Sequence, residues 1–164
     1  ALKYNPVSFG DMRTGNKFSV GLDEINANYQ DNSIVHAVYT DEDTVVKVLK
    51  ELKEADIGVS IVVSGLMEAT AECCNKAGLE PHTVNYSLGI HGKTELLPRE
   101  EILEINTMCG HGMVAFSLIK HMVERIKKGQ ITAEKAAEKL AAQCHCGIFN
   151  PVRAVRILQK LADE

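Results

Sequence analysis

Tryptophan is missing from the 164 residues, and phenylalanine and tyrosine supply only four side chains each. The core must therefore be mostly aliphatic. Long apolar runs are missing too: the longest fall well short of the roughly 20 residues that a membrane-spanning helix needs. Ala1–Gly10 has neither the basic start nor the apolar run of a secretory leader. No lysine/arginine run interleaved with aromatics stands out. A net charge of −4 gives no general attraction for nucleic acid or an anionic membrane. No G-x-G-x-x-G follows an expected strand, which disfavours a dinucleotide enzyme, and no carboxylate pair stands at a recognisable catalytic spacing. The five cysteines are an odd number, and Cys73-Cys74 and Cys144-Cys146 are too close together for an ordinary disulfide framework. Reduced thiols and a cytoplasmic location are the expectation. The polar start suits equally the cut edge of a longer polypeptide or the arm of an oligomer, so a protein partner or a homo-oligomer is expected.

Apolar residues make up 45% of the chain, enough for one core without disulfide or metal staples. Residues 1–32 carry Gly, Asn and Asp at short intervals and read as an arm, with one short strand over Lys17–Leu22. From Ser33 the rhythm changes. Ser33–Thr40 and Thr83–Leu88 read as strands, and Ile57–Ser64 (IGVSIVVS) as a central strand covered on both faces. Between them lie two helices. One is capped by Asp41 or Asp43, with Val45, Val46, Val48, Leu49 and Leu52 on its buried stripe. The other runs over Leu66–Ala77 and is closed by Gly78. This β-α-β-α-β order predicts a small, mostly parallel three-layer α/β domain over 33–97.

A helical segment over 98–164 is expected to follow. Pro98 with Arg99-Glu100-Glu101 opens one helix and Met113–Lys128 forms the next. Thr132 caps Ala133–Ala142, whose alanine-rich face admits a close neighbour. Asn150-Pro151 caps a last helix to about Ala162.

The chemistry gathers in two short motifs of that segment. Met108-Cys109-Gly110-His111-Gly112 precedes the strongest expected helix, where backbone N–H groups and a neighbouring imidazole would lower a thiol pKa. Its two glycines let the backbone wrap a ligand. Cys144-His145-Cys146-Gly147 sits between two helices, and a helical turn-back brings it within reach of Cys109. Three thiols and one or two imidazoles would then converge, which is ligand chemistry for zinc or an iron–sulfur cluster, although Cys-x-Cys is not the usual zinc-finger spacing.

Met108–Gly112 resembles the catalytic segment around one cysteine of proline racemase-like enzymes. There the cysteine is an acid/base at a helix N-terminus, facing a second cysteine across the α-carbon of the substrate. The resemblance covers these five residues, and the chain lacks a second Asp-x-x-Cys-Gly-type segment. It therefore implies how such a loop tunes a thiol, and not membership of that family.

Other features read as ordinary structure. Cys73-Cys74 suits a helix core, His36 a strand face, His121 a helix boundary, and Glu134–Lys139 a solvated helix face. Ser87–Thr94 lacks the first glycine of a phosphate loop, yet Lys93 follows an expected strand and is a candidate small-anion contact. The leading expectation is a metal or iron–sulfur site in a redox, electron-transfer or sensing role. Its ligands would come from Cys109, Cys144, Cys146, His111 and His145, with Gly110, Gly112 and Lys93 as cofactor contacts. The alternatives are an enzyme using Cys109 as nucleophile or acid/base with His111, and a non-catalytic assembly module.

Overall fold

The strands that form are few, short and antiparallel. A computed structural model describes residues 1–164. It has seven helices, a single three-stranded sheet and about 49% helix. The strands are β1 (Ser8–Asp11), β2 (Gly15–Asn16) and β3 (Val35–Val38), in the order β2-β1-β3. Both pairings are antiparallel, with Gly10 opposite Asn16 on one side and opposite His36 on the other. The expected mostly parallel β-α-β-α-β sheet is therefore overturned. Ser33–Thr40 does supply β3, but its partner is the N-terminal β1. Ile57–Ser64 and Thr83–Leu88 form no strand at all. An apolar run implies burial only if something covers it, and here Val62 is 84% exposed and Leu88 89%.

The chain forms two compact units, each drawn from two stretches: residues 6–38 with 92–164, and residues 1–5 with 39–91.

The larger unit opens with a hairpin. The Thr14 hydroxyl donates to the Asp11 carboxylate at 3.0 Å, and Gly15 takes φ 126°, which together turn β1 into β2. The strand expected at Lys17–Leu22 does not form. The Asn16 side-chain oxygen accepts from the N–H groups of Phe18 and Ser19, folding the chain into a turn before helix α1 (Leu22–Ala27), which buries Ile25.

Four further helices make this unit's core: α4 (Glu100–Thr107), α5 (Phe116–Lys127), α6 (Ala133–Gln143) and α7 (Pro151–Asp163). The caps of α6 and α7 are those legible in the sequence, whereas α4 starts after Arg99, leaving Pro98 outside it, and α5 starts at Phe116 and not at Met113, both without a side-chain cap. Thr132 accepts from the Lys135 N–H at 3.3 Å, and Asn150 from the Arg153 N–H at 3.0 Å, with Pro151 in the first turn of α7. The small face of α6 (Ala133, Ala136, Ala137, Ala141) lies against α7, and Leu140, Phe149, Leu158 and Leu161 fill the same core.

The smaller unit pairs α2 (Glu42–Ala55) with α3 (Met67–Lys76). Asp41 caps α2 by accepting from the Thr44 N–H at 2.8 Å, and Gly78 follows α3 with φ 67°. Its buried cluster is small: Val46, Leu49, Cys73 and Ala77. No helix in the chain is long and apolar enough to cross a membrane.

Candidate functional site

The two cysteine motifs fold alike. In each, a cysteine carbonyl accepts from the N–H three residues on, Cys109 O from Gly112 N and Cys144 O from Gly147 N, both at 2.9 Å. In each, that fourth residue is a glycine at positive φ, 68° for Gly112 and 77° for Gly147. Cys109-Gly110-His111-Gly112 and Cys144-His145-Cys146-Gly147 are thus the same four-residue turn, ended by the residue type that tolerates this backbone.

Both turns are anchored. The first continues from the C-terminus of α4, where the Asn106 side-chain amide donates to the Val114 carbonyl at 2.6 Å and clamps the loop. The second leaves the C-terminus of α6. There the amide of buried Asn16 donates to the carbonyls of Cys144 (2.8 Å) and Ala141 (3.2 Å), a second donor to each beside the N–H groups of Gly147 and Cys144. Gly147 lies backbone to backbone on β1: a Cβ there would meet Gly10 N at 2.6 Å, and one at Gly10 would meet Cys146 O at 2.6 Å. Two glycines in different parts of the chain are what allow the approach.

The turns face each other, first position to first and third to third. Cys109 lies in the same buried cluster as Cys144 and helps to raise the pKa of its thiol. Cys146 Sγ lies 3.8 Å from His111 Nδ1. Within the second turn the Cys144 and Cys146 sulfurs are 4.0 Å apart. The structure therefore brings together Cys109, Cys144, Cys146 and His111. All three cysteines are buried and free, and the exposed His111 forms the solvent edge of the group.

His145 does not join them. It occupies the second position of its turn, as Gly110 does in the other, and both are exposed. Gly112 ends its turn, and Lys93 is exposed at the start of a short 3-10 turn, Thr94–Leu96.

The electrostatics differ from the expectation for an activated thiol. Cys109 does not precede a helix N-terminus. It follows the C-terminus of α4, and α5 begins only at Phe116, so the helix-dipole argument for a thiolate fails. Burial, then the thiol partner Cys109, then Cys146, push the Cys144 thiol up to about 12; the Phe149 backbone opposes them weakly. As the side chains stand, no group of three or more His, Cys, Asp or Glu is disposed to hold a metal ion.

One neighbour escaped the sequence reading. His36, on β3 opposite Gly10, lies beside the Cys146 backbone and near His111 and Asp11. Burial is the main cause that lowers its pKa; the Cys146 backbone opposes, His111 adds to the lowering, and Asp11 opposes. His36 Nδ1, Ser8 Oγ and Asp11 Oδ1 are buried without a hydrogen-bond partner. The only signal in the sequence was a histidine in a strand, which carries no information about what packs on the strand.

Cys73 and Cys74 stay in the smaller unit. Cys73 Sγ donates to the Glu42 carbonyl at 3.9 Å, and burial followed by Glu42 raises its pKa. His121 is exposed on α5.

Comparison of the chain with protein-family models, with curated proteins and with solved structures gives no match. The functional reading therefore rests on the turns themselves.

Proposed function

We propose that the larger unit carries a thiolate-ligated metal centre, a metal ion or an iron–sulfur cluster, serving a redox, electron-transfer or sensing role. One observation carries the reading: Cys144, Cys146 and His111, from two remote, identically folded turns, stand in a chain of contacts, with Cys109 buried in the same cluster. Packing alone does not call for matched Cys-x-x-Gly turns whose glycines hold positive φ at both sites. Sulfur and imidazole are the donors that zinc, copper(I) and iron–sulfur clusters take. Loading would require the thiols to lose their protons and the side chains to rearrange, since as they stand they form no metal-holding group.

The enzyme alternative, with Cys109 as a low-pKa nucleophile, has less behind it. The thiol is buried at the wrong end of a helix.

Elemental analysis and the visible spectrum of protein purified without oxygen test the proposal. Stoichiometric metal, lost when Cys144 and Cys146 are replaced by serine, is the expected result. Protein that stays metal-free after reconstitution, with Cys109→Ala leaving fold and metal content unchanged, rejects it.

A further inference from the structure

Independently of the metal centre, we propose that a second copy of this chain docks on the smaller unit, with Thr83–Leu88 of each copy pairing antiparallel across a two-fold axis. In Thr83–Leu88, the apolar Val84, Tyr86 and Leu88 alternate with Thr83, Asn85 and Ser87, the period of a strand with one buried face. Yet all three apolar side chains are exposed, from 51% for Val84 to 89% for Leu88. Ile57, Val59, Ile61 and Val62 are exposed beside them in the same unit. The unit offers no strand to join, because β3 ends at Val38 and residues 39–91 hold only the helices α2 and α3. No backbone N–H or C=O of residues 57–64 or 83–87 pairs with another backbone group. Such a row of unpaired groups is a template for another chain, and proteins that keep it free guard it with lysine, proline or a bulge. These guards are missing. No Asp, Glu, Lys or Arg stands between Asp56 and Glu68 or between Glu80 and Lys93, and Thr83–Leu88 has no proline.

Area and composition point to a copy of the same chain as the occupant. The large apolar side chains of residues 57–67 and 84–90 expose on the order of 1,000 Å², above the roughly 800 Å² that each partner brings to a stable interface. A patch of this size without a charge has the make-up of a homodimer interface, which is more apolar and poorer in charge than a transient contact. A second copy brings the same alternation. Under a two-fold axis its apolar face meets an identical one, each contact occurs twice, and no like charges are opposed. The axis falls in Thr83–Leu88 because Val63 packs on the cluster of Val46, Leu49, Cys73 and Ala77 and ties the earlier stretch to its own unit, whereas no residue of Thr83–Leu88 packs there. Gly89, at φ 88°, ends the extended run.

The test is sedimentation velocity of the full 164-residue chain over a range of concentrations, reduced and with a metal chelator, so that the outcome does not depend on the metal-site reading. Peptide-resolved hydrogen exchange accompanies it. The expected result is a monomer–dimer equilibrium in which the amides of Thr83–Leu88 exchange more slowly as dimer forms. Leu88→Lys and Tyr86→Lys change exposed side chains and should keep the helical circular dichroism of the parent. Each should weaken association by about thirtyfold or more and remove the concentration-dependent protection. Ile34→Lys, the same kind of change at an exposed position of the larger unit, should leave the dimer as it was. A chain that stays monomeric throughout would overturn the proposal. So would a dimer that both variants leave intact, since its interface would lie elsewhere. Growth beyond the dimer, stopped by Leu88→Lys, would overturn the two-fold closure. Protection of Thr83–Leu88 only on addition of a different protein would overturn the second copy as occupant.

Discussion

Gly147 shows at the scale of one residue how the site is held. Its φ of 77° and its contact with the Gly10 backbone both exclude a side chain. Gly147→Ala is expected to cost about 2 kcal/mol or more, from left-handed strain plus displacement of β1, measured by urea unfolding. Gly110→Ala, where a Cβ would meet open space, is the control and should be near neutral. Cys144 makes a second prediction. Its folded pKa of about 12 lies above its ordinary value of 9.0. Stability from keeping this thiol protonated is full below pH 9 and is lost as pH rises towards 12. The unfolding midpoint of metal-free protein should fall across that window, and less steeply in Cys144→Ala. At neutral pH, iodoacetamide should modify none of the five buried thiols quickly while the chain is folded. One fast thiol would revive the nucleophile reading.

At the scale of elements, the ends of α6 and α7 decide where the second turn lies. Asn150 supplies an ordinary N-cap, so Asn150→Ala should cost about 1 kcal/mol without disturbing the thiols. Asn16 is different. It is buried, donates to carbonyls at the end of α6 and accepts from two N–H groups of its own turn. Asn16→Ala leaves the Phe18 N–H without its partner and takes one of two donors from the Ala141 and Cys144 carbonyls, and should cost roughly 1–3 kcal/mol. It should also release the second turn, so that Cys144 and Cys146 become more reactive with thiol reagents, whereas Asn150→Ala should leave their rates unchanged. The helix ends were legible because Asp41, Thr132 and Asn150 act on N–H groups three residues away. The strand pairings were not. Nothing local to Val35–Val38 tells that its partner is Ser8–Asp11.

At the scale of the molecule, the two units differ in how much they bury. Four residues form the buried cluster of the smaller unit, against eighteen in the larger. Backbone amides of α2 and α3 should therefore exchange with deuterium well before those of α6 and α7, as peptide-resolved hydrogen exchange will show. Acid should act through Glu101, which Arg99, its own backbone and Lys160 hold at about 2, below an ordinary value of 4.5. A depressed carboxylate contributes stability above the unfolded value and loses it as pH falls through the window from 4.5 to about 2. Glu101→Gln should flatten the acid limb of a stability profile without moving the alkaline one.

The sequence by itself determined that helices stand between Glu42 and Asp163, the caps at Asp41, Thr132 and Asn150, and the two motifs that hold cysteine. These depend on residue periodicity and on hydrogen bonds a few residues long. The shared turn left only a trace in the sequence, glycine in the same position of Cys-Gly-His-Gly and Cys-His-Cys-Gly, and the structure made it visible. Only the tertiary structure decided that His111 faces Cys146 while His145 turns away, that β1 lies under Gly147, and that the apolar stretches around Val62 and Leu88 form no strand and leave those two side chains exposed. Those outcomes depend on contacts between residues far apart in sequence, and an apolar or glycine-rich stretch specifies that it can pack closely without specifying against what.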